Sequence, residues 1–266
     1  MDNQKEPVIV YFDIETTLVQ MWGWRLGEQK VGWEQIKKEP QVCVICWAVN
    51  DGKVQSAVFD LSKYDPTKYD DDADKKLVSD FIEVASNATL LVAHNGQHFD
   101  LGVLGSRIMK HRLPDIAPTL IDDTYLKTKT RRTLSHTLDY LLRYFGIGQK
   151  VNHSGYDMWK AVAMKNKKAL QEMRGYCVGD VEGLRKLYKY IKPYIKSNLN
   201  LAMFYGKPDI CPKCSGEETI IKRGYHRTTA GKYQRYQCTT CGWWGHDGTN
   251  LISKKVSGTP ASKYKR

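Results

Sequence analysis

The chain has 266 residues, 41% hydrophobic and 26% charged, with a formal net charge of +12. That length allows one or two domains with a real core. No apolar run approaches the ~20 residues of a membrane span, and the start MDNQKEPVIV lacks the apolar stretch of a secretory signal. A soluble protein is expected, cytoplasmic or nucleoid-associated, with no membrane partner. The charge is uneven: residues 207–266 hold 12 Lys and Arg against 4 Asp and Glu. A concentrated basic segment suits a polyanion, nucleic acid first among them, and a solvated surface is the plainer alternative.

In chain order, PVIVYFDI (7–14) is an apolar, β-rich run and reads as a buried strand. Strands are predicted over 41–50 and 53–60, joined by the turn chemistry of Asn50-Asp51-Gly52. Leu77, Val78, Phe81, Ile82 and Ala85 give residues 72–86 a helical period. A strand follows over 89–93, a helix over 100–112 and a last strand over 118–123. Residues 134–145 form an amphipathic helix before Gly146, and helices fit 156–173 and 174–196, with a break near Gly175. This order predicts an α/β fold, a mixed sheet flanked by helices. Gly206-Lys207-Pro208 suits a linker. Beyond it come short strand-like pieces, 219–222 and 233–237, and a basic tail over 253–266 expected to be disordered.

Asp13 and Glu15 close the first strand in FDIETT. Residues i and i+2 of a strand share a face, so two like charges project together, which is costly unless a cation lies between them. A strand merely ending in acids at a turn is the plainer reading. Asp100, in HNGQHFD, is placed to begin a helix, where a carboxylate caps well; Asn95 fits a turn. His94 and His98 flank Asn95 and are expected near the site or in a structural role. Tyr176 and Asp180, in YCVGD, stand one helical turn apart on one face. Gly179 between them costs about 1 kcal/mol relative to Ala, a cost that a close backbone approach or an open path to a ligand would justify. Four acids from three distant segments suit two hard divalent ions, Mg²⁺ or Mn²⁺. Two such ions ~4 Å apart can activate water and stabilise a leaving oxygen in phosphodiester hydrolysis.

These three segments resemble, in order and spacing, the three motifs of the DEDD superfamily of 3′–5′ exonucleases, within the ribonuclease H-like fold. FDIET is similar to Asp-x-Glu after a strand, HNGQHFD to Asn-x-x-x-Phe/Tyr-Asp, and YCVGD to Tyr-x-x-x-Asp. IDDTYL and LSHTLDYLLRYFGI resemble the intervening Asp-Thr strand end and Leu-x-x-x-Leu helix. The resemblance covers about residues 7–196. The other branch of the superfamily has His five residues before the last Asp, where this chain has Gly175; Tyr176 places it with the DEDDy branch, which includes proofreading domains of DNA polymerases. The resemblance implies that Asp13 bridges both ions, that Glu15 and Asp180 complete the site holding the attacking water, and that Asp100 helps bind the second ion. It further implies that Tyr176 orients the water, and that Asn95, Thr16, Thr17 and Leu18 touch the terminal nucleotides. Phe99 is a candidate for the same contact, although packing is its plainer role.

Cys211-x2-Cys214, 23 residues, then Cys238-x2-Cys241 is the spacing of a zinc site. Each pair resembles a zinc knuckle and the whole a zinc ribbon, with Gly242 in the tight turn. Four thiolates close the coordination shell, so the expected Zn²⁺ is structural and supplies folding energy to a module too small for its own core. Cys43 and Cys46 also have x2 spacing, but in the apolar run VCVICWAV they read as small buried hydrophobes. Tyr225, His226, Tyr233, Tyr236, Trp243 and Trp244 lie among Lys222, Arg223, Arg227, Lys232 and Arg235, a mixture that suits single-stranded nucleic acid. Packing around zinc, or docking of a protein partner, are the competing uses.

The expected organisation is therefore an exonuclease domain over 1–200, a zinc ribbon over 201–252 and the tail. The expected function is 3′–5′ exonucleolytic hydrolysis of DNA, single strands or 3′ ends. RNA as substrate, a structure-specific nuclease, and a non-catalytic nucleic-acid-binding or recruitment protein on a nuclease fold are the alternatives.

Overall fold

The structure, a computed structural model, describes residues 6–252 apart from 26, 207 and 208. The expected tail, and Lys207-Pro208 of the expected linker, lie outside the described residues. Two compact units divide at Tyr190/Ile191.

In the first unit the order is β1 (Ile9–Thr16), the short β2 (Gln20–Met21) and β3 (Ile36–Lys38), β4 (Val42–Val49), β5 (Gln55–Val58), α1 (Lys75–Ser86), β6 (Leu90–Ala93), α2 (Asp100–His111), β7 (Leu120–Asp123), α3 (Thr124–Thr128), α4 (Leu138–Tyr144), α5 (Tyr156–Ala163) and α6 (Lys167–Ile191). Five strands form one sheet in the order β5-β4-β1-β6-β7. β1 pairs antiparallel with β4 and parallel with β6, which pairs parallel with β7. This is the mixed, helix-flanked sheet that the apolar pattern predicts. β1 is central, so its residues through Ile14 are buried apart from Asp13, and the acids at its end are carried on a rigid support. Phe12 and Trp47 pack on Phe81 of α1, and Tyr11 meets Tyr188 of α6 edge-on.

Several boundaries differ from expectation. α4 begins at Leu138 rather than 134: Leu134 is 96% exposed and contributes nothing to the core. The break between the last two helices falls at 164–166 and not near Gly175, which lies inside α6. Lys165 takes a left-handed φ of 63°, and the Asn166 side chain accepts from the backbone N–H of Lys168 and Ala169. A local amide cap thus restarts the helix, while Gly175 sits on an exposed face of α6 with open space where a Cβ would lie. β2, β3 and α3 carry too few residues to leave a periodic signal.

The second unit contains α7 (Ala202–Tyr205) and an antiparallel sheet β10-β9-β8, formed by β8 (Ile220–Arg227), β9 (Lys232–Cys238) and β10 (Trp244–His246). Both expected strand pieces are present and longer than predicted. Among the described residues no helix is long and apolar enough to cross a membrane.

Candidate active site and metal centres

Carboxylate oxygens of Asp13, Glu15 and Asp180 lie within 4.8 Å of one another. β1 supplies the first two on one face, and α6 supplies the third, 4% exposed. Asp100 stands beside this group at the start of α2, where its Oδ1 accepts from the Ile14 backbone N–H at 3.1 Å. That bond fastens Asp100 to the strand residue between Asp13 and Glu15. The three motifs are thereby brought to one place.

Burial dominates the electrostatics. It pushes Glu15 up to about 8 and Asp100 to about 7, and it raises Asp13 and Asp180 as well. The neighbouring acids add to the rise at Asp13 and Glu15. Lys150 opposes it at Asp13, Glu15 and Asp180: its Nζ donates to Asp180 Oδ2 at 2.6 Å and to the Tyr176 hydroxyl at 2.7 Å. Asp180 Oδ1 is buried without a hydrogen-bond partner among the described residues, and buried acceptors of this kind are rare and costly. An orphaned oxygen, clustered acids and a shortage of positive charge are what a site for hard divalent cations looks like.

Three residues of this site carry no motif and were not expected in it: Lys150, His153 and Trp159. The Trp159 indole faces Glu15 and favours its charged form. His153 stacks edge-on against Tyr176, ring centroids 4.5 Å apart, and against Trp159 at 5.3 Å. All three come from the 150 loop and α5, and the closest thing to a sequence signal is Gly179 in α6. A Cβ there would lie 2.4 Å from Val151 Cγ2, so glycine admits the loop that delivers Lys150. The close approach that could justify this glycine is therefore made by the chain itself.

The segment HNGQHFD is held by Asp123. Its Oδ1 accepts from the backbone N–H of Asn95, Tyr125 and Leu126, and its Oδ2 from that of Gln97. Asn95 is a turn residue with a φ of 67°, and a Cβ on Gly96 would meet Ala93 at 2.3 Å. His94 Nδ1 pairs with Thr124 Oγ1 at 2.8 Å, and burial pulls its pKa down to about 4, which favours the neutral ring. His98 is exposed. Phe99 is 46% exposed. Of the residues after Glu15, Thr16 and Leu18 are half-buried, but Thr17 is buried and its hydroxyl accepts from Gln41 N–H at 3.0 Å.

In the second unit the sulfurs of Cys211, Cys214, Cys238 and Cys241 also lie within 4.8 Å of one another. Backbone N–H of Lys213 and of Cys241 point at Cys211 Sγ and Cys238 Sγ, 3.4 and 3.5 Å away, an arrangement that stabilises thiolates. Four convergent sulfurs fit a tetrahedral zinc shell. Cys43 and Cys46 are buried in β4 and belong to neither group. On the three-stranded sheet of this unit, Lys232 lies over the Tyr225 ring at 3.8 Å and Arg235 over Trp244 at 4.9 Å.

A five-stranded mixed sheet with carboxylates converging from the central strand and two helices defines a protein of the ribonuclease H-like class. The sequence profile of the RNase H superfamily matches residues 37–192, more than half of the chain, and the chain belongs to that superfamily. The match begins after β1, the strand that holds Asp13 and Glu15. No curated protein matches the chain in sequence. Among solved structures, the family B DNA polymerase from the hyperthermophilic archaeon Pyrobaculum calidifontis is similar, with a TM-score of 0.50 and 17% identity, over 71% of this chain and 25% of the polymerase. The chain thus spans about a quarter of that protein's length. At this identity the likeness is one of fold.

Proposed function

We propose that this chain is a metal-dependent nuclease that removes nucleotides from the 3′ end of DNA. The observation that carries the reading is the convergence of Asp13, Glu15, Asp100 and Asp180, with raised pKa values, one cation and an orphaned oxygen on Asp180. Asp13, Glu15 and Asp180 would hold one Mg²⁺ or Mn²⁺, and Asp13 with Asp100 a second. Such a pair supplies an activated water and neutralises charge on the phosphodiester and leaving oxygen. Tyr176, held by Lys150, orients the water, and Lys150 keeps positive charge beside the scissile phosphate. Asn95, Phe99, Thr16 and Leu18 line the way to the terminal nucleotide; Thr17 acts by holding the strand end. The Tyr-type third motif supports a DEDDy assignment. DNA is preferred over RNA because the motif resembles that of proofreading domains and the structural neighbour is a DNA polymerase. The four cysteines would hold Zn²⁺, and the paired cations and rings of the ribbon would grip nucleic acid.

The test is digestion of 5′-labelled single-stranded DNA, duplex DNA and RNA with Mg²⁺ or Mn²⁺. Stepwise shortening from the 3′ end of DNA, abolished by Asp13→Ala and by Asp180→Ala, is the expected result. Intact ends on every substrate under both metals would sink the proposal. Cutting of circular single strands would replace it by an endonuclease.

A further inference from the structure

The chain between β1 and β4 leaves and rejoins the sheet at one point. Thr17 N–H donates to the Gln41 carbonyl at 2.9 Å, and Gln41 N–H donates to Thr17 Oγ1 at 3.0 Å. That point is two residues beyond Glu15. From it, β2 and β3 pair antiparallel, Gln20 opposite Lys38 and Met21 opposite Ile36. The arm is organised by its own polar groups. Trp22 N–H donates to the Gln35 carbonyl at 2.8 Å, and Gln35 Nε2 returns a bond to the Trp22 carbonyl at 2.9 Å. Gln29 accepts from Trp24 N–H at 3.1 Å and donates to the Arg25 carbonyl at 3.0 Å.

What this scaffold presents is unusual. Three of the chain's seven tryptophans are in the arm, and Trp22, Trp24 and Trp33 are 68%, 90% and 74% exposed. An indole is among the side chains that gain most from burial, and exposed apolar residues on a monomer are normally scattered singly. Three exposed rings within twelve residues, on a backbone ordered by its own hydrogen bonds, mark a candidate binding surface. Its chemistry follows from what surrounds the rings. Lys37 Nζ lies over the Trp22 ring at 5.7 Å, and Arg25 and Lys30 lie in the same arm with Glu28, Glu34 and Glu39, so the arm itself is close to neutral and its rings carry more of the recognition than its charge does. Flat rings interleaved with cations bind unpaired bases by stacking while the cations follow the phosphates.

We infer that the arm, described over residues 18–25 and 27–40, is a stacking platform for the unpaired bases of the strand whose end reaches the carboxylates. Its location relative to the reaction rests on the nuclease reading; its affinity for single strands does not. The platform favours unpaired strands, because bases stacked within a duplex offer no free faces except at the ends.

The test uses the full chain bearing Asp13→Asn, so that strands survive the measurement. Binding of oligo-dT and of a blunt duplex of equal length is followed by anisotropy and by quenching of tryptophan fluorescence. Trp22→Ala, Trp24→Ala and Trp33→Ala are each expected to weaken oligo-dT binding by up to about tenfold, with a larger loss and little quenching in the triple variant. Duplex binding should change by less than about threefold, and the three Trp→Phe variants should keep most of the affinity because the rings remain. Oligo-dT affinity that stays within twofold in the triple variant overturns the inference. So does a wild-type chain that self-associates through the arm while the triple variant is monomeric and binds oligo-dT equally well. Arm-dependent binding by a chain that, with Asp13 restored, cleaves nothing removes the nuclease reading and leaves the platform; cleavage with arm-independent binding removes the platform alone.

Discussion

The Pro7–Tyr190 unit buries two clusters of acids that differ in what faces them. Asp70 and Asp74 meet Arg107 at 3.0 and 2.7 Å, and Asp71 meets the fully buried Lys38 at 3.0 Å. His111 Nε2 closes on Asp74 at 2.7 Å. Burial works against Asp70, yet hydrogen bonds from Arg107 and Lys110 hold it down at about 2. Asp13, Glu15 and Asp180 face Lys150, Asp100 is opposed by backbone N–H groups alone, and all four rise because burial outweighs what opposes it. The first cluster ties α1 to α2 and, through Asp74, to the Val42 N–H of β4. It is finished by protein atoms. The second keeps raised carboxyls with less opposing charge among the described residues, as the proposed metal site requires, and this contrast distinguishes the two clusters better than burial or acid count does.

The comparison breaks most sharply under substitution. Asp13→Ala or Asp180→Ala should lower cleavage by about a thousandfold or more, with the protein as stable in EDTA as the parent or more so. Arg107→Leu should do the reverse in kind, leaving its acids without their main cation at a cost of about 3–5 kcal/mol, read as a lower urea midpoint with activity lost only as the fold is lost. Equal stability of the Arg107→Leu and parent chains would mean that the two clusters do not differ as described.

A pH series sharpens the same contrast. A carboxyl whose folded pKa is raised binds its proton more tightly when folded, so its contribution is fully present below the unfolded value near 4 and is lost as pH rises through the folded value. With Asp100 at about 7 and Glu15 at about 8, melting temperature in EDTA should fall between about pH 6.5 and 8.5. His94, depressed to about 4, acts below that window, as does Asp70. Mg²⁺ or Mn²⁺ should cancel the fall, and Glu15→Gln should flatten it and raise the melting point near the top of the window by about 2–5 °C. A melting point that rises with pH in EDTA would contradict the assignment.

Smaller effects are expected from the one cation and from the second unit. Lys150→Met should reduce cleavage by about 10- to 100-fold and move the metal dependence, since Asp180 loses its ion-pair partner. Cys211→Ser, or zinc removal, should melt the ribbon while leaving the far-ultraviolet melting transition of the Pro7–Tyr190 unit within about 2 °C; differential scanning calorimetry resolves the two transitions.

Much of the site is legible in the amino-acid sequence, because its chemistry is local. Asp13 and Glu15 share a face through the two-residue period of a strand, and Tyr176 and Asp180 through the helical turn, so composition and spacing already pair them. Asp100 is legible as a helix start. Cys211, Cys214, Cys238 and Cys241 declare themselves by spacing. The strand and helix periods likewise predict the five main strands and their mixed sheet. What periodicity misses are boundaries decided by single residues: Asn166 caps α6 where Gly175 suggests a break, and residues 134–137 stay outside α4 because Leu134 finds nothing to pack against.

By itself, then, the sequence determined the residue types that meet at the centre and the class of fold that brings them together, since both follow from periodicities within one element. Tertiary structure alone decided which groups complete the site. Lys150, His153 and Trp159 arrive from an aperiodic loop that Gly179 lets in across α6. Asp123 spends its carboxylate on the backbone of the Asn95 turn. Trp22, Trp24 and Trp33 are turned outward by Gln29 and Gln35. None of these has a signature within a few residues of itself, because each is set by contacts with distant chain or by hydrogen bonds that exist only once a turn has closed.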